Sequence, residues 1–387
     1  MVEERINMHN KNVLIITASI GSGHNKAAEA ISNEMKAKYP AASIHTVDFM
    51  STQTAYFNGL LKEIYLKMLD FIPNLYEFLY NFTAGRLPGF SVQSLLAMAM
   101  KRNMAGLIRQ YEADIVICTH PFPCAAASSL KKSGRLEALL VGVITDFSVH
   151  QMWVYENIDL YFVAHQAMRE DLIRRGIMPE RIRVTGIPIA RVFSSEYNRQ
   201  ELLGKFNLEP DMPVILIMGG GLGLGGVKFA LHQLEDLPMP LQILVVTGTN
   251  AALWSEINEY AAGSKQRVEV WGYSNNVEEL MAVATCLISK PGALTICEAL
   301  AMELPMLLHE PIPGPETENA VYVAGNGAAV WIQDNEKLGQ TLGQILSKPS
   351  ELANMRRQAG MCKRPQAAGD IVESIAAYAK QQCLLNK

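Results

Sequence analysis

The sequence predicts an α/β protein made of two doubly wound, Rossmann-like domains facing each other across a cleft. Three observations predict it. Short apolar runs rich in β-branched residues recur along all 387 residues, as expected of strands covered on both faces of a parallel sheet. Most runs end in a Gly-rich or polar turn that opens toward a stretch with helical spacing. The rhythm stops near Pro188 and restarts at Asp211-Met212-Pro213. With about 100 to 200 residues per domain, the division falls into an N-terminal domain of residues 1–188 and a C-terminal domain of residues 189–387.

Composition narrows the function. Apolar residues make up 49% of the chain and charged residues 19%, which describes a packed protein and not a disordered one. The net charge of −4 excludes a strongly basic nucleic-acid binder. The opening MVEERINMHNKN lacks an apolar core, so no secretory signal is expected. No uninterrupted apolar stretch reaches the roughly 18 residues of a spanning helix, so a cytoplasmic location is expected. The six cysteines form no C-x-x-C pair; neither a zinc site nor a disulfide framework is expected, and reduced, mostly buried thiols are.

The first strand is 13–17 (VLIIT). It runs into Ala18-Ser19-Ile20-Gly21-Ser22-Gly23-His24, and then into a helical stretch with Ala28, Ile31 and Met35 on one face. The turn matches neither G-x-x-x-x-G-K-[ST] nor G-x-G-x-x-G. Its distinguishing residue is His24, at the helix opening, where the helix N-terminus should keep the imidazole neutral. Two readings stand: a general base, or a histidine satisfied by local backbone.

Residues 55–110 break the rhythm with helical spacing and a crowd of aromatics from Phe71 to Phe82, followed by a second helical run over 92–111. This is either a helical insertion packed on the sheet or an amphipathic surface that dips into a bilayer interface. Strands resume at 114–118 (DIVIC) and 139–145 (LLVGVIT), and 161–164 and 182–185 close the domain. Ligands of open α/β sheets collect at the carboxyl ends of strands, and His24, His120 and Asp146 all occupy such ends. Their separations match no local metal motif. A proton-transfer pair of His24 with Asp146 is the simpler chemistry.

In the second half a helix at 199–206 precedes the strand 214–218 (VILIM). That strand ends in a loop from Gly219 to Gly226, in which Gly219, Gly220, Gly221 and Gly223 expose successive N–H groups. The loop is either a phosphate cradle or a plain surface loop. Strand 241–247 ends at Gly248-Thr249-Asn250, and strand 268–272 ends at Tyr273. Strand 286–289 leads into Lys290-Pro291-Gly292-Ala293-Leu294-Thr295 and a helix from 296. Gly292 permits close approach, and the helix N–H groups over Ala293, Leu294 and Thr295 suit a diphosphate. Glu298, on about the same helix face as Thr295, suits a ribose. An amphipathic helix over 370–384 ends the C-terminal domain. Group transfer from a nucleotide donor to an acceptor held by the other domain is the function these features suggest.

These residues together resemble a known family. Residues 13–35 with GSGH, Ile144-Thr145-Asp146-Phe147, Val184-Thr185-Gly186-Ile187-Pro188, the Gly219 to Gly223 loop, and Lys290-Pro291-Gly292 through Leu294-Thr295, Glu298, Pro313-Gly314, Glu316 and Asn319 look like the monogalactosyldiacylglycerol synthase and processive diacylglycerol glucosyltransferase family. The peptidoglycan N-acetylglucosaminyltransferase is a more distant relative. The resemblance implies a GT-B fold, a UDP-sugar donor in the C-terminal domain and a diacylglycerol-type acceptor approached through the N-terminal domain. It also implies inverting single displacement, no cofactor beyond the donor substrate, and peripheral association with the inner face of the cell membrane. By position His24 matches the family's catalytic histidine, Glu298 its ribose-binding acid, and Glu316 the acid of its sugar-holding Q-E pair.

Three residues depart from the family pattern. Ala293 replaces the second glycine of K-P-G-G-L-T, Thr285 stands where an aspartate is common, and Pro315 replaces the glutamine of P-G-Q-E. Pro315 offers the sugar no donor, so the hexose does not carry over. A UDP-sugar epimerase on the same architecture, or a catalytically silent nucleotide-binding membrane protein, are the alternatives.

Overall fold

The computed structural model describes residues 8–19, 22–49, 90–223 and 226–385. Ile20 and Gly21 of the histidine turn, Leu224 and Gly225 of the glycine loop, and the aromatic-rich segment from Phe71 to Phe82 lie outside the described residues. The chain forms two compact units, Met1–Ala190 with Gln366–Lys387, and Arg191–Pro365.

The first unit is a six-stranded sheet of β1 (Asn12–Thr17), β2 (Ser43–Asp48), β3 (Ile115–Cys118), β4 (Leu139–Val143), β5 (Leu160–Val163) and β6 (Ile182–Val184). Its order is β2-β1-β3-β4-β5-β6, and every pairing is parallel. The interior strands carry almost no polar side chains because helices cover them. Helix α1 (Gly23–Lys38) lays Ala28, Ile31 and Met35 into the core. Helix α2 (Phe90–Gln110) turns Met104 and Leu107 inward and packs on α3 (Pro121–Lys132). Helix α4 is Gln166–Arg174.

The second unit repeats the design with α5 (Arg199–Lys205), β7 (Val214–Met218), α6 (Val227–Leu234), β8 (Gln242–Val246), α7 (Ala251–Ala261), β9 (Arg267–Trp271), α8 (Val277–Val283) and β10 (Cys286–Ser289). It continues with α9 (Ala293–Ala301), β11 (Met306–Leu308), α10 (Pro315–Gly325), β12 (Ala329–Trp331), α11 (Leu338–Leu346) and α12 (Pro349–Cys362). The strand order is β12-β11-β10-β7-β8-β9, again all parallel.

The sequence had placed the terminal helix in the C-terminal domain, and the structure corrects this. Helix α13 (Ala367–Leu385) belongs to the first unit: Ile371, Val372 and Ile375 are fully buried in one cluster with Val13, Ile31 and Phe162. Lys38 of α1 pairs with Glu373 of α13. An amphipathic stripe states that a helix must bury a face, and it does not say against which core. Cys118, Cys124 and Cys286 are buried free thiols, and Cys297 and Cys362 are partly exposed.

Strand order decides where ligands can collect. In a doubly wound sheet the helices on either side of the switch point diverge and leave a crevice at the carboxyl ends. That point falls between β1 and β3 in the first sheet and between β7 and β10 in the second. The turns after these four strands carry His24, His120, the glycine loop and the Lys290 to Thr295 segment.

Candidate active site and nucleotide site

His24 is the second residue of α1, whose N-cap is Ser22. The helix starts one turn after β1, so the imidazole is carried over the end of β3. Its Nδ1 lies 2.9 Å from the Thr119 carbonyl oxygen and 2.7 Å from Thr145 Oγ1. Thr119 Oγ1 donates in return to the His24 carbonyl at 3.1 Å. A carbonyl only accepts, so Nδ1 carries the proton and Nε2 carries the lone pair of the neutral ring.

The pKa of His24 is lowered, as the sequence predicts, but the leading cause is burial and not the helix terminus. The charge of Asp146 and the hydrogen bond to Thr119 oppose that shift. Asp146 therefore acts on His24 through its charge, while the Thr119 carbonyl and the Thr145 hydroxyl orient the ring. The expected pair of His24 and Asp146 is in this respect a four-residue arrangement. Thr119 and Thr145 lie one and two residues past β3 and β4; Thr145 was quoted in the sequence only as part of a motif, and Thr119 belongs to none.

His120 was noted only as a strand-end residue. It caps α3, with its Nδ1 accepting the Phe122 N–H at 3.1 Å, and its ring lies 4.6 Å from that of His24 at 78°.

In the second unit the glycine loop is built against the β8 turn. The Thr249 N–H and hydroxyl each reach the Gly221 carbonyl at 3.0 Å. Gly220, Gly223 and Gly248 have positive φ. A Cβ on Gly223 would meet the Thr247 carbonyl at 2.2 Å, and one on Gly248 the Gly221 carbonyl at 2.5 Å. These glycines are required by close backbone contact, so the described part of the loop, Gly219 to Gly223, is packed against the β8 turn. Gly219 follows β7 directly and is buried. Tyr273, just past β9, is 53% exposed.

Helix α9 starts from Gly292 without a side-chain cap, which leaves the N–H groups of Ala293, Leu294 and Thr295 without intrahelical partners. Glu298 lies one turn further in the same helix and is partly buried. Lys290, at the end of β10, pairs with Glu316 Oε1, and both side chains are mostly buried. Glu316 Oε2 also accepts the Ile312 N–H at 2.9 Å. The Glu316 carboxylate stands 3.9 Å from where a Cβ on Gly292 would be, and the Lys290 side chain 3.5 Å from the same point on Gly220. Buried Asn319 ties α10 to this turn by donating to the Pro291 carbonyl at 3.1 Å. Gly220, Lys290, Gly292 and Glu316 thus come together in one place. Lys290 was quoted in the sequence only as part of a turn; its cation is the part that a spacing argument missed.

Pro315 occupies the first position of α10, after Gly314 at φ 103°. Proline is well tolerated there because the N–H it lacks has no intrahelical partner. That same N–H is one a ligand would otherwise use.

Two family models match the chain: monogalactosyldiacylglycerol (MGDG) synthase over residues 24–189, and the glycosyltransferase family 28 C-terminal domain over residues 214–373. A processive diacylglycerol beta-glucosyltransferase of Bacillus cytotoxicus is 32% identical over 367 residues, covering 95% of this chain and 93% of that protein. The protein of the same name from Bacillus mycoides is 32% identical over 369 residues, with 95% and 94% covered. Among solved structures, Acinetobacter baumannii MurG aligns with a TM-score of 0.61 at 16% identity, covering 94% of this chain and 99% of that one. The S. aureus MnaA–UDP structure aligns at 0.63 and 14% identity, covering 95% and 96%. At those identities the structural likeness speaks for the fold.

Proposed function

The chain belongs to the monogalactosyldiacylglycerol synthase and processive diacylglycerol glucosyltransferase family, has its GT-B fold, and on that premise we propose that it transfers a hexose from a UDP-sugar to diacylglycerol. The observation that carries the reading is coverage. Relatives named for this activity align along 95% of the chain, so both the half with His24 and the half with the glycine loop are accounted for together.

The step runs as a single displacement. His24 Nε2 takes the proton of the lipid hydroxyl as its oxygen forms a bond to the anomeric carbon. The bond from that carbon to the β-phosphate oxygen breaks, UDP leaves with the electron pair, and the anomeric configuration inverts. The free N–H groups at the start of α9, the glycine loop and the Lys290 cation favour the charge that develops on UDP. Glu298 accepts the ribose hydroxyl protons, Asn319 fixes the turn, and Thr249 and Tyr273 border the nucleotide. Glu316, held in place by Lys290 and the Ile312 N–H, borders the sugar side of the site. No resident cofactor is required, and chelation of divalent ions should leave turnover within about twofold if these donors carry the leaving-group charge.

The hexose is the open specificity. Glucose is the first donor to test because the relatives' names specify it, and Pro315 removes the glutamine through which a family pattern would be read. Among the described residues no helix is long and apolar enough to cross a membrane. An acceptor of this class is reached from the bilayer surface, so we place the working enzyme peripherally on the cytoplasmic face.

The test incubates the full chain with diacylglycerol vesicles and labelled UDP-glucose, UDP-galactose and UDP-N-acetylglucosamine. The expected result is a labelled lipid with one of them. Donor consumption that yields only free or epimerised sugar would sink the transferase reading.

A further inference from the structure

The proposed step uses one imidazole, and the structure sets a second beside it in the opposite tautomer. His120 is 5% exposed. Its Nδ1 accepts the Phe122 N–H at 3.1 Å, and a nitrogen that accepts from an amide carries no proton. In the neutral ring the proton therefore sits on Nε2. His24 is the reverse, with its proton on Nδ1 toward the Thr119 carbonyl and its lone pair on Nε2. Both assignments are imposed by backbone groups that have no alternative role: an amide that only donates, and a carbonyl that only accepts.

Burial, reinforced by the neighbouring His24, disfavours a charge on His120, so the ring is a neutral donor near pH 7. The two ring centroids are 4.6 Å apart at 78°. Among the described residues no hydrogen bond occupies Nε2 of either ring. The switch point of the first sheet thus carries a fixed acceptor and a fixed donor on two rings whose centroids are 4.6 Å apart.

An acceptor molecule that satisfies both needs a hydroxyl, to give its proton to His24, and close to it a second oxygen that accepts. We infer that His120 is a specificity-determining residue whose Nε2–H binds the oxygen on the carbon next to the reacting hydroxyl of the acceptor. In a diacylglycerol that oxygen belongs to an ester and has no proton of its own. The inference rests on the lipid-acceptor reading above and goes further, since it states which part of the acceptor is read and by what. A bare long-chain alcohol presents the same nucleophile and leaves the His120 donor without a partner. Sites built to hydrogen-bond a substrate group discriminate strongly against analogues that lack it.

The experiment compares the full chain acting on diacylglycerol and on a long-chain primary alcohol of similar length, in vesicles of the same composition. Two substitutions separate recognition from capping. His120→Asn keeps an oxygen for the Phe122 N–H, as asparagine is a good N-cap, and removes the donor at the Nε2 position. His120→Gln places an amide N–H near that position and weakens the cap. The inference predicts that wild type prefers diacylglycerol by about tenfold or more in kcat/KM. It predicts that His120→Asn loses most of that ratio with the KM for the UDP-sugar unchanged, and that His120→Gln keeps it despite a lower Tm. Equal turnover of the two acceptors by wild type would overturn the inference without any variant. So would a ratio preserved in His120→Asn and lost in His120→Gln, which would leave His120 as a helix cap alone. Wild type that makes no glycolipid at all would instead overturn the reading on which this one stands.

Discussion

In the proposed step His24 serves as the base because of what its other nitrogen is bonded to. With Nδ1 committed to Thr119 and Thr145, a glutamine at the site mimics the shape and lacks the basic lone pair. His24→Gln should lower kcat by about 10² to 10⁴ while the KM for the UDP-sugar, bound in the other unit, stays near wild type; steady-state assays with varied donor check this. The lowered His24 pKa fixes the acid limb. The base is fully available above the ordinary histidine value of about 6.5, and turnover should fall only below it, as protonation overtakes the lowered pKa. A half-maximal point above pH 7 on that limb would contradict the assignment. A further buried histidine, in the second unit, makes stability pH-dependent too. His309 is fully buried, and burial lowers its pKa to about 4. Below pH 6.5 the unfolded chain takes up a proton that the folded chain refuses, so stability falls until pH 4 and then levels. His309→Leu should remove up to about 3 kcal/mol of that acid-side loss, seen as a flatter dependence of the urea midpoint on pH. His24 was legible from its position in a Gly-Ser-Gly-His turn. Its orienting partners Thr119 and Thr145 were not, because they are brought to it by strand order and not by spacing.

The strand ends are where sequence and structure agree best. Runs such as 13–17 and 214–218 read as central strands since burial on both faces leaves no room for polar alternation. Strand β2 escaped notice for the opposite reason: SIHTVD lies at the sheet edge and is mostly half-buried or exposed. Strands β11 and β12 are three residues each, too short for periodicity to register. The glycine loop was legible as a motif, while its necessity came from the contact with Thr247 and Gly221. Gly223→Ala and Gly248→Ala each force a Cβ into a carbonyl at a positive φ and should cost at least about 1 to 3 kcal/mol. They should also raise the KM for the UDP-sugar; a Gly204→Ala control, where a Cβ meets nothing within 4 Å, should do neither. At the turn after β10, Lys290→Ala leaves Glu316 mostly buried without its cation. It should cut affinity for UDP by roughly tenfold or more, and calorimetric titration with UDP alone reads this apart from catalysis. Unchanged UDP affinity would remove Lys290 from the nucleotide site.

At the scale of the molecule, the two-domain division could be read from the interrupted strand rhythm, and the return of the last helix to the first unit could not. That return has a measurable consequence. Ile375 is fully buried in the core of β1, α1 and β5 residues, so Ile375→Ala should cost about 2 to 5 kcal/mol. Hydrogen exchange should accelerate in the first unit, at β1 and α1, and leave β7 and β8 protected, although the altered residue lies near the end of the chain. On the proposed function the proton is handled in the first unit and the diphosphate in the second, as transfer between two substrates requires. The most direct test of that account is the anomeric configuration of the lipid product. Nuclear magnetic resonance of the glycolipid made from diacylglycerol and an α-linked UDP-hexose should show a β-glycoside, formed in equal amount with UDP. An α-glycoside would contradict single displacement with His24 as base.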